Sequence, residues 1–166
     1  MKRVPPGSGE IVLVDAAPEP AALDEIGVLL SEYAAALGID LGFQGFEEER
    51  RTLPGRYAPP EGALILARVG GEPAACIALR PLAPGVGEVK RLYVRPAFRG
   101  RGLGRRLVER IIAEARSRGC RVLRLDTLPE MSAARRLYAS FGWRPCGAYT
   151  HNPIPGAIFL ELALEA

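Results

Sequence analysis

The stretch E-V-K-R-L-Y-V-R-P-A-F-R-G-R-G-L-G, residues 88–104, decides how the chain is read. Glu88–Val94 is rich in β-branched and aromatic residues and stops short of Pro96, as a strand does. A turn follows with Gly100, Gly102 and Gly104 at alternate positions and Arg99, Arg101 and Arg105 among them. Leu103, Leu107, Val108, Ile111, Ile112 and Ala115 then form one helical face, which Gly119 ends. A helix start carries unpaired N–H groups and the positive end of the helix dipole. Glycines let those amides approach a ligand and arginines add charge, so this turn suits a polyanion, a pyrophosphate above all.

The surrounding sequence places that unit in a larger pattern. Glu10–Asp15 reads as a first strand. Residues 21–37 read as a helix with Leu23, Ile26, Leu30, Tyr33 and Leu37 on one face and Gly38 at its end. A second, shorter helix is expected over 44–53, stopped by Pro54, within a Gly-, Pro- and aromatic-rich stretch (38–60) lying over a cleft. Residues 62–69 and 72–80 flank Gly70-Gly71, a two-residue hairpin signal, and P-L-A-P-G-V-G (81–87) reads as a loop. After the central helix, 121–126 reads as a strand and 130–140 as a helix. Two closing strands, 143–150 and 157–164, are separated by H-N-P-I-P-G. The order β-α-α-β-β-β-α-β-α-β-β describes an α+β fold, a central mixed sheet with helices on both faces. With neither repeat nor low-complexity linker, residues 1–166 are expected to form one domain.

Composition narrows the function classes. With 48% hydrophobic and 25% charged residues the chain has the make-up of a soluble globular protein. Its apolar runs fall far short of the about 20 residues that span a bilayer, and the opening M-K-R-V-P-P-G-S-G-E lacks the apolar core of a secretory signal. Cys76, Cys120 and Cys146 are odd in number and show no C-x-x-C spacing. Buried thiols in a reducing cytoplasm are therefore expected, rather than disulfides or a metal site. Residues 88–124 hold 12 of the 22 basic residues but 3 of the 19 acidic ones. Such a patch can bind nucleic acid, but no zinc finger, aromatic platform or recognition helix accompanies it, and a compact phosphorylated ligand explains it with less. A Walker loop is excluded by the missing G-K-[ST], and a dinucleotide fingerprint by Arg105 in its third glycine position. No G-x-S-x-G elbow is present, and the single His151 lacks zinc-ligand spacing.

Two motifs carry a resemblance. R-x-x-G-x-G stands at Arg99, Gly102 and Gly104 after a strand ending V-R-P, and A-x-x-L-Y-x-x-x-G-[FW] stands at Ala134 to Trp143. In this order, each on a suitable element, they resemble the two central motifs of the GNAT superfamily of N-acetyltransferases. The resemblance implies a GNAT-type sheet, mostly antiparallel, with a splayed cofactor-binding strand, and acetyl-CoA as acyl donor without a metal. It assigns the pyrophosphate to the main chain of Arg99, Gly100, Arg101, Gly102, Leu103, Gly104 and Arg105. It assigns the pantetheine arm to Leu92, Tyr93 and Val94, with the Leu92 amide facing the thioester carbonyl. Met131 stands where many such proteins carry an asparagine that touches the cofactor.

Acetyl transfer to an amine needs a proton acceptor, because an amine of pKa about 10.4 is protonated at neutral pH. It also needs a donor to the oxyanion. Glu88, four residues before Leu92 and so expected on the same strand face, coincides with the catalytic glutamate of histone-acetylating relatives. A salt bridge to Lys90 or an arginine is the competing role for Glu88, and ordered water the competing base. Tyr138 is the acid that the resemblance places near the coenzyme sulfur. The resemblance places the acceptor around 38–60 and 148–156, segments that supply Phe43, Gln44, Phe46, Glu47, Arg51, Arg56, Tyr57 and Tyr149, with Tyr57 and His151 as acceptor-binding candidates. His151 otherwise caps a turn beside Asn152. The expected activity is acetylation of a primary amine on a small molecule. A protein or peptide acceptor, and a non-catalytic acyl-CoA sensor, are the alternatives. Neither nucleic acid nor membrane is expected as a partner; a homodimer is compatible.

Overall fold

A computed structural model describes residues 9–42 and 45–164. The elements run β1 (Ile11–Asp15), α1 (Pro20–Leu37), α2 (Phe46–Arg51), β2 (Ala63–Val69), β3 (Glu72–Ala83), β4 (Val86–Val94), α3 (Leu103–Ser117), β5 (Val122–Thr127), α4 (Ser132–Ser140), β6 (Arg144–Pro145) and β7 (Ile158–Ala163). The seven strands form one sheet in the order β1-β2-β3-β4-β5-β7-β6. Every neighbouring pair is antiparallel except β4 and β5. Among the described residues no helix is long and apolar enough to cross a membrane.

Each sheet face has its own core. Leu103, Leu107, Val108, Ile111 and Ala115 of α3 pack with Tyr138 of α4 onto Ile65, Ile77, Leu79, Val89, Leu123 and Leu125. On the opposite face Ile26, Leu29 and Leu30 of α1, Phe46 of α2 and Tyr57 cover Leu64, Leu66, Cys76, Ala78 and Tyr93. Alternation along each strand sorts its side chains between these two layers.

Two expectations about elements are corrected. The segment 81–87 is not a loop: β3 and β4 pair as far as Ala83 opposite Val86, leaving Pro84-Gly85 as a tight turn with Gly85 at φ 72. Pro81 is tolerated because β2 pairs with β3 only as far as Leu79, so no neighbour on that side needs its missing N–H. The expected strand over 143–150 shrinks to Arg144–Pro145. Cys146 N–H still reaches the Phe159 carbonyl at 2.9 Å, but the chain then turns inward and carries the Tyr149 hydroxyl to Glu88 of the central strand β4.

The central opening follows from strand pairing. β4 and β5 are bonded only through Val86–Glu88 and Val122–Arg124. Beyond that, β4 stays with β3 up to Val94, and β5 stays with β7 up to Thr127. The two strands therefore part into a V at their C-terminal ends, where ligands commonly sit in sheets with parallel strands.

Candidate active site

A bulge shapes one wall of the V. Cys76 pairs with Tyr93 and Ala78 with Lys90, so Ile77 alone faces Arg91 and Leu92. Arg91 takes φ 63, the one non-glycine residue in the left-handed region among those described. Such a bulge re-aims the residues around it and interrupts ladder pairing. Its consequence overturns the same-face expectation. Leu92 packs toward the α3 layer, whereas Glu88 and Arg91 find their partners on the α1–α2 side.

The α3 end supplies the other part. Gly100 and Gly102 take φ 80 and 76, and Gly102 is an N-cap without a side-chain hydrogen bond. Arg106 N–H is bonded to the Gly102 carbonyl at 3.1 Å, so the amides of Leu103, Gly104 and Arg105 precede the first helical bond. A groove of ≈ 510 Å³ runs from this turn along β4 to α4, bordered by Leu92, Val94, Arg99, Gly100, Gly102, Leu103 and Gly104 and by Met131, Ala134 and Leu137. A Cβ on Gly104 would come within 3.1 Å of Leu137, so that glycine brings α3 and α4 together.

The remaining cofactor-side residues fall as follows. Tyr93 follows the groove with its main chain, while its hydroxyl reaches Glu32 of α1 at 3.4 Å. Arg99 Nε donates to the Val94 carbonyl at 3.1 Å, tying the turn to β4. Arg101 lies exposed on the turn. The Arg105 guanidinium bonds Ser140 Oγ at 3.0 Å and stacks on Phe141, leaving only its amide to face the helix start. Met131 borders the groove and accepts a contact from Thr127 Oγ1 at 3.6 Å.

At the apex of the V the groove meets a smaller cavity of ≈ 50 Å³, and the two share Tyr33, Leu37, Leu92 and Met131. Tyr138 lines this cavity, 6% exposed, and among the described residues its hydroxyl makes no hydrogen bond. Burial pushes its pKa up, so it is a neutral O–H donor at physiological pH. Lys90, Arg91, Asp126, Thr127 and Asn152 are among the polar residues that line the cavity. Asn152 Nδ2 donates to Asp126 Oδ2 at 3.0 Å, and its Oδ1 accepts from the Ile154 amide at 3.0 Å. Lys90 Nζ stands 3.6 Å from Asp126 Oδ1 and 3.8 Å from Glu88 Oε2. Burial lowers its pKa, opposed by Asp126 and Glu88.

Glu88 itself does not line the cavity. Its side chain is buried, with Arg80 Nε on Oε1 at 2.6 Å and the Tyr149 hydroxyl on Oε2 at 2.7 Å. Burial, then the neighbouring Glu88 charge, raises the Tyr149 pKa and keeps it a donor. Neither acceptor-side candidate lines the cavity. Tyr57 is 1% exposed inside the α1–α2 core, and burial raises its pKa. His151 is exposed outside the cavity, which its neighbour Asn152 reaches instead. Phe43 and Gln44 lie outside the described residues. Of the acidic run, Glu47 and Glu48 make surface pairs with Arg50 and Arg51, while Glu49 binds Arg91 at 2.7 and 3.1 Å. Among the described residues no cluster of metal-ligating side chains forms.

Sequence reasoning passed over Lys90, Asp126 and Asn152 as cavity residues. A signal existed: Asp126 stands near the C-terminal end of β5, the strand that pairs in parallel with β4, where sites form.

Comparison with known proteins agrees with this geometry. The acetyltransferase (GNAT) family matches residues 30–143. An uncharacterised N-acetyltransferase of Schizosaccharomyces pombe is 39% identical over 93% of this chain and 96% of its own. A GNAT-family acetyltransferase structure from Staphylococcus aureus superposes with a TM-score of 0.78 at 16% identity, covering 94% of this chain and 100% of that one. The PaiA N-acetyltransferase of Thermoplasma acidophilum, solved with coenzyme A, gives 0.71 at 14% identity, over 93% and 99% of the two chains. The mixed sheet, the parted β4–β5 pair and the matched sequence together place this chain in the GNAT family of acetyl-CoA-dependent acetyltransferases.

Proposed function

We propose that the protein transfers the acetyl group of acetyl-CoA to a primary amine on a small molecule, by direct attack of the neutral amine on the thioester. The observation that carries this reading is the convergence of three features on one cleft. They are the uncapped start of α3, the bulged edge of β4 and the Tyr138 hydroxyl. The amides of the 99–105 turn hold the pyrophosphate and the parted edge of β4 pairs with the pantetheine arm. Leu92 N–H stabilises the oxyanion, and Tyr138 donates a proton to the departing thiolate.

Proton removal from the amine falls to Asp126, the carboxylate that lines the cavity. Glu88 sits behind Lys90 and supports the charge there, but it does not reach the cavity. The ≈ 50 Å³ cavity favours a compact acceptor over a bulky one.

The test is a mass-spectrometric search for acetylated products among pooled amino acids, polyamines, aminoglycosides and short peptides. Wild type and Tyr138→Phe are compared in parallel. The expected result is a product formed by wild type and a kcat reduced about 100-fold in the variant, with acetyl-CoA affinity unchanged by calorimetry. Tight acetyl-CoA binding without product from any pool would sink the reading.

A further inference from the structure

The polar lining of the small cavity points to a class of acceptor; the inference rests on the proposed reading that the acceptor amine enters this cavity. Three charged side chains border it, Lys90, Arg91 and Asp126. Arg91 is held by Glu49, which lies behind the lining. Lys90 is in a different position. Its side chain is 4% exposed, its two carboxylate neighbours stand at 3.6 and 3.8 Å, and among the described residues it makes no hydrogen bond. A buried ammonium carries three donors and is costly to leave without acceptors. A carboxylate or similar anion entering the cavity supplies them.

Asp126 is the complementary half. Asn152 occupies one of its oxygens and Lys90 faces the other at ion-pair distance, leaving lone pairs for a further donor. Lys90 and Asp126 thus present opposite charges a few ångströms apart, on the two strands that diverge at the cleft. We propose that the acceptor is a small zwitterion of the α-amino-acid type, its carboxylate on Lys90 and its ammonium on Asp126. Leu37, Leu41, Leu128 and Ile154 form the apolar part of the same wall and receive the substituent. A polyamine fits less well, because its second cation would meet Lys90 and Arg91.

The deprotonation that follows is balanced within this pair. Asp126 takes one proton from the bound ammonium, the amine nitrogen bonds to the acetyl carbon, the C–S bond breaks, and Tyr138 protonates the sulfur. The tyrosine recovers its proton from the new amide nitrogen, and Asp126 releases its own to solvent.

The experiment compares matched acceptors by release of coenzyme A thiol. Alanine, leucine and phenylalanine are each measured against their carboxamides and their decarboxylated amines. A charge-assisted contact contributes about 1.5–3 kcal/mol, so wild type should prefer the free acid by about 10- to 100-fold in kcat/KM. Lys90→Met should bring the acid-to-amide ratio toward one, mainly through KM, with acetyl-CoA affinity retained. Because that variant leaves Glu88 and Asp126 short of a countercharge and can unfold, the wild-type comparison decides by itself. Amide or decarboxylated amine used as well as the acid overturns the inference. Turnover of carboxylate-free amines alone overturns it while leaving amine acetylation standing. No turnover of any amine by protein that binds acetyl-CoA overturns both.

Discussion

Glu88 and Asp126 are both strand carboxylates near the cleft, and their surroundings separate their roles. Glu88 accepts from Arg80 and Tyr149 and lies beside Lys90, with its side chain 1% exposed. Asp126 keeps a face on the cavity. Replacing Glu88 by Gln puts an amide N–H among donors and leaves Arg80 and Lys90 underpaired. Removing one partner of a buried ion pair costs about 3 kcal/mol. Glu88→Gln should therefore lower the melting temperature strongly while reducing kcat of the folded fraction less than about 10-fold. Asp126→Asn should do the reverse, with kcat down about 100-fold or more and a smaller loss of stability. Melting curves and steady-state kinetics on the two variants check this, and equal kcat losses would refute the division of roles. Strand position was enough to nominate Glu88. The arginine partner lies eight residues away across the β3–β4 hairpin and was within reach of sequence reasoning, whereas Tyr149 comes from the loop before β7, remote in sequence, and only packing revealed it.

Among the elements, the start of α3 and the bulge in β4 shape the groove. Gly102 at φ 76 lets the chain turn into the helix with its amides exposed to the groove. Gly119, at the other end of the same helix, has φ 80, and both have open space where a Cβ would go. The backbone strain of an alanine is thus alike at the two sites, about 1 kcal/mol. Gly102→Ala and Gly119→Ala should destabilise the protein similarly, but only Gly102→Ala should weaken acetyl-CoA binding, by about 10-fold as seen by calorimetry. A matching loss in Gly119→Ala would mean that helix stability, not turn geometry, governs affinity. The alternate glycines made this turn legible from local sequence. The bulge was not read from the sequence, although the consecutive polar pair Lys90-Arg91 breaks the alternation of Glu88–Val94 at that point. The slip becomes visible only when Ile77 of β3 faces two residues of β4.

Across the whole molecule, ion pairs tie the two helical layers to the sheet and set its acid stability. Arg95, just past β4, binds Glu32 of α1 through Nε and Nη2 at 3.0 and 2.6 Å and the Pro73 carbonyl through Nη1 at 2.9 Å. The Arg95 hydrogen bond holds the Glu32 pKa below its ordinary 4.5. Glu114 is also lowered: burial opposes the shift, and the bonds from Arg110 and Arg118 outweigh it. In each case the unfolded chain binds the proton more readily, so the stabilisation is present above pH 4.5 and is lost as pH falls below it. The melting temperature should drop through that acid window, and Glu32→Gln should flatten part of the slope. Differential scanning calorimetry across pH 2.5–6 (roughly the carboxylate range) measures it; an unchanged slope would remove Glu32 from the account.

The chain by itself determined the kind of fold and the glycine–arginine turn that opens α3. Helical and strand periodicity, the Gly70-Gly71 hairpin and the arginine–glycine turn all act between near neighbours, where residue type dictates conformation directly. Tertiary structure alone decided what lines the small cavity. Strands β4 and β5 are joined through a whole helix and part after three paired residues. That divergence brings Lys90, Asp126, Tyr138 and Asn152 from separate elements to one cavity and leaves Glu88 and Tyr57 outside it. Contacts between distant segments depend on the sum of packing over the sheet, which no local stretch of sequence carries.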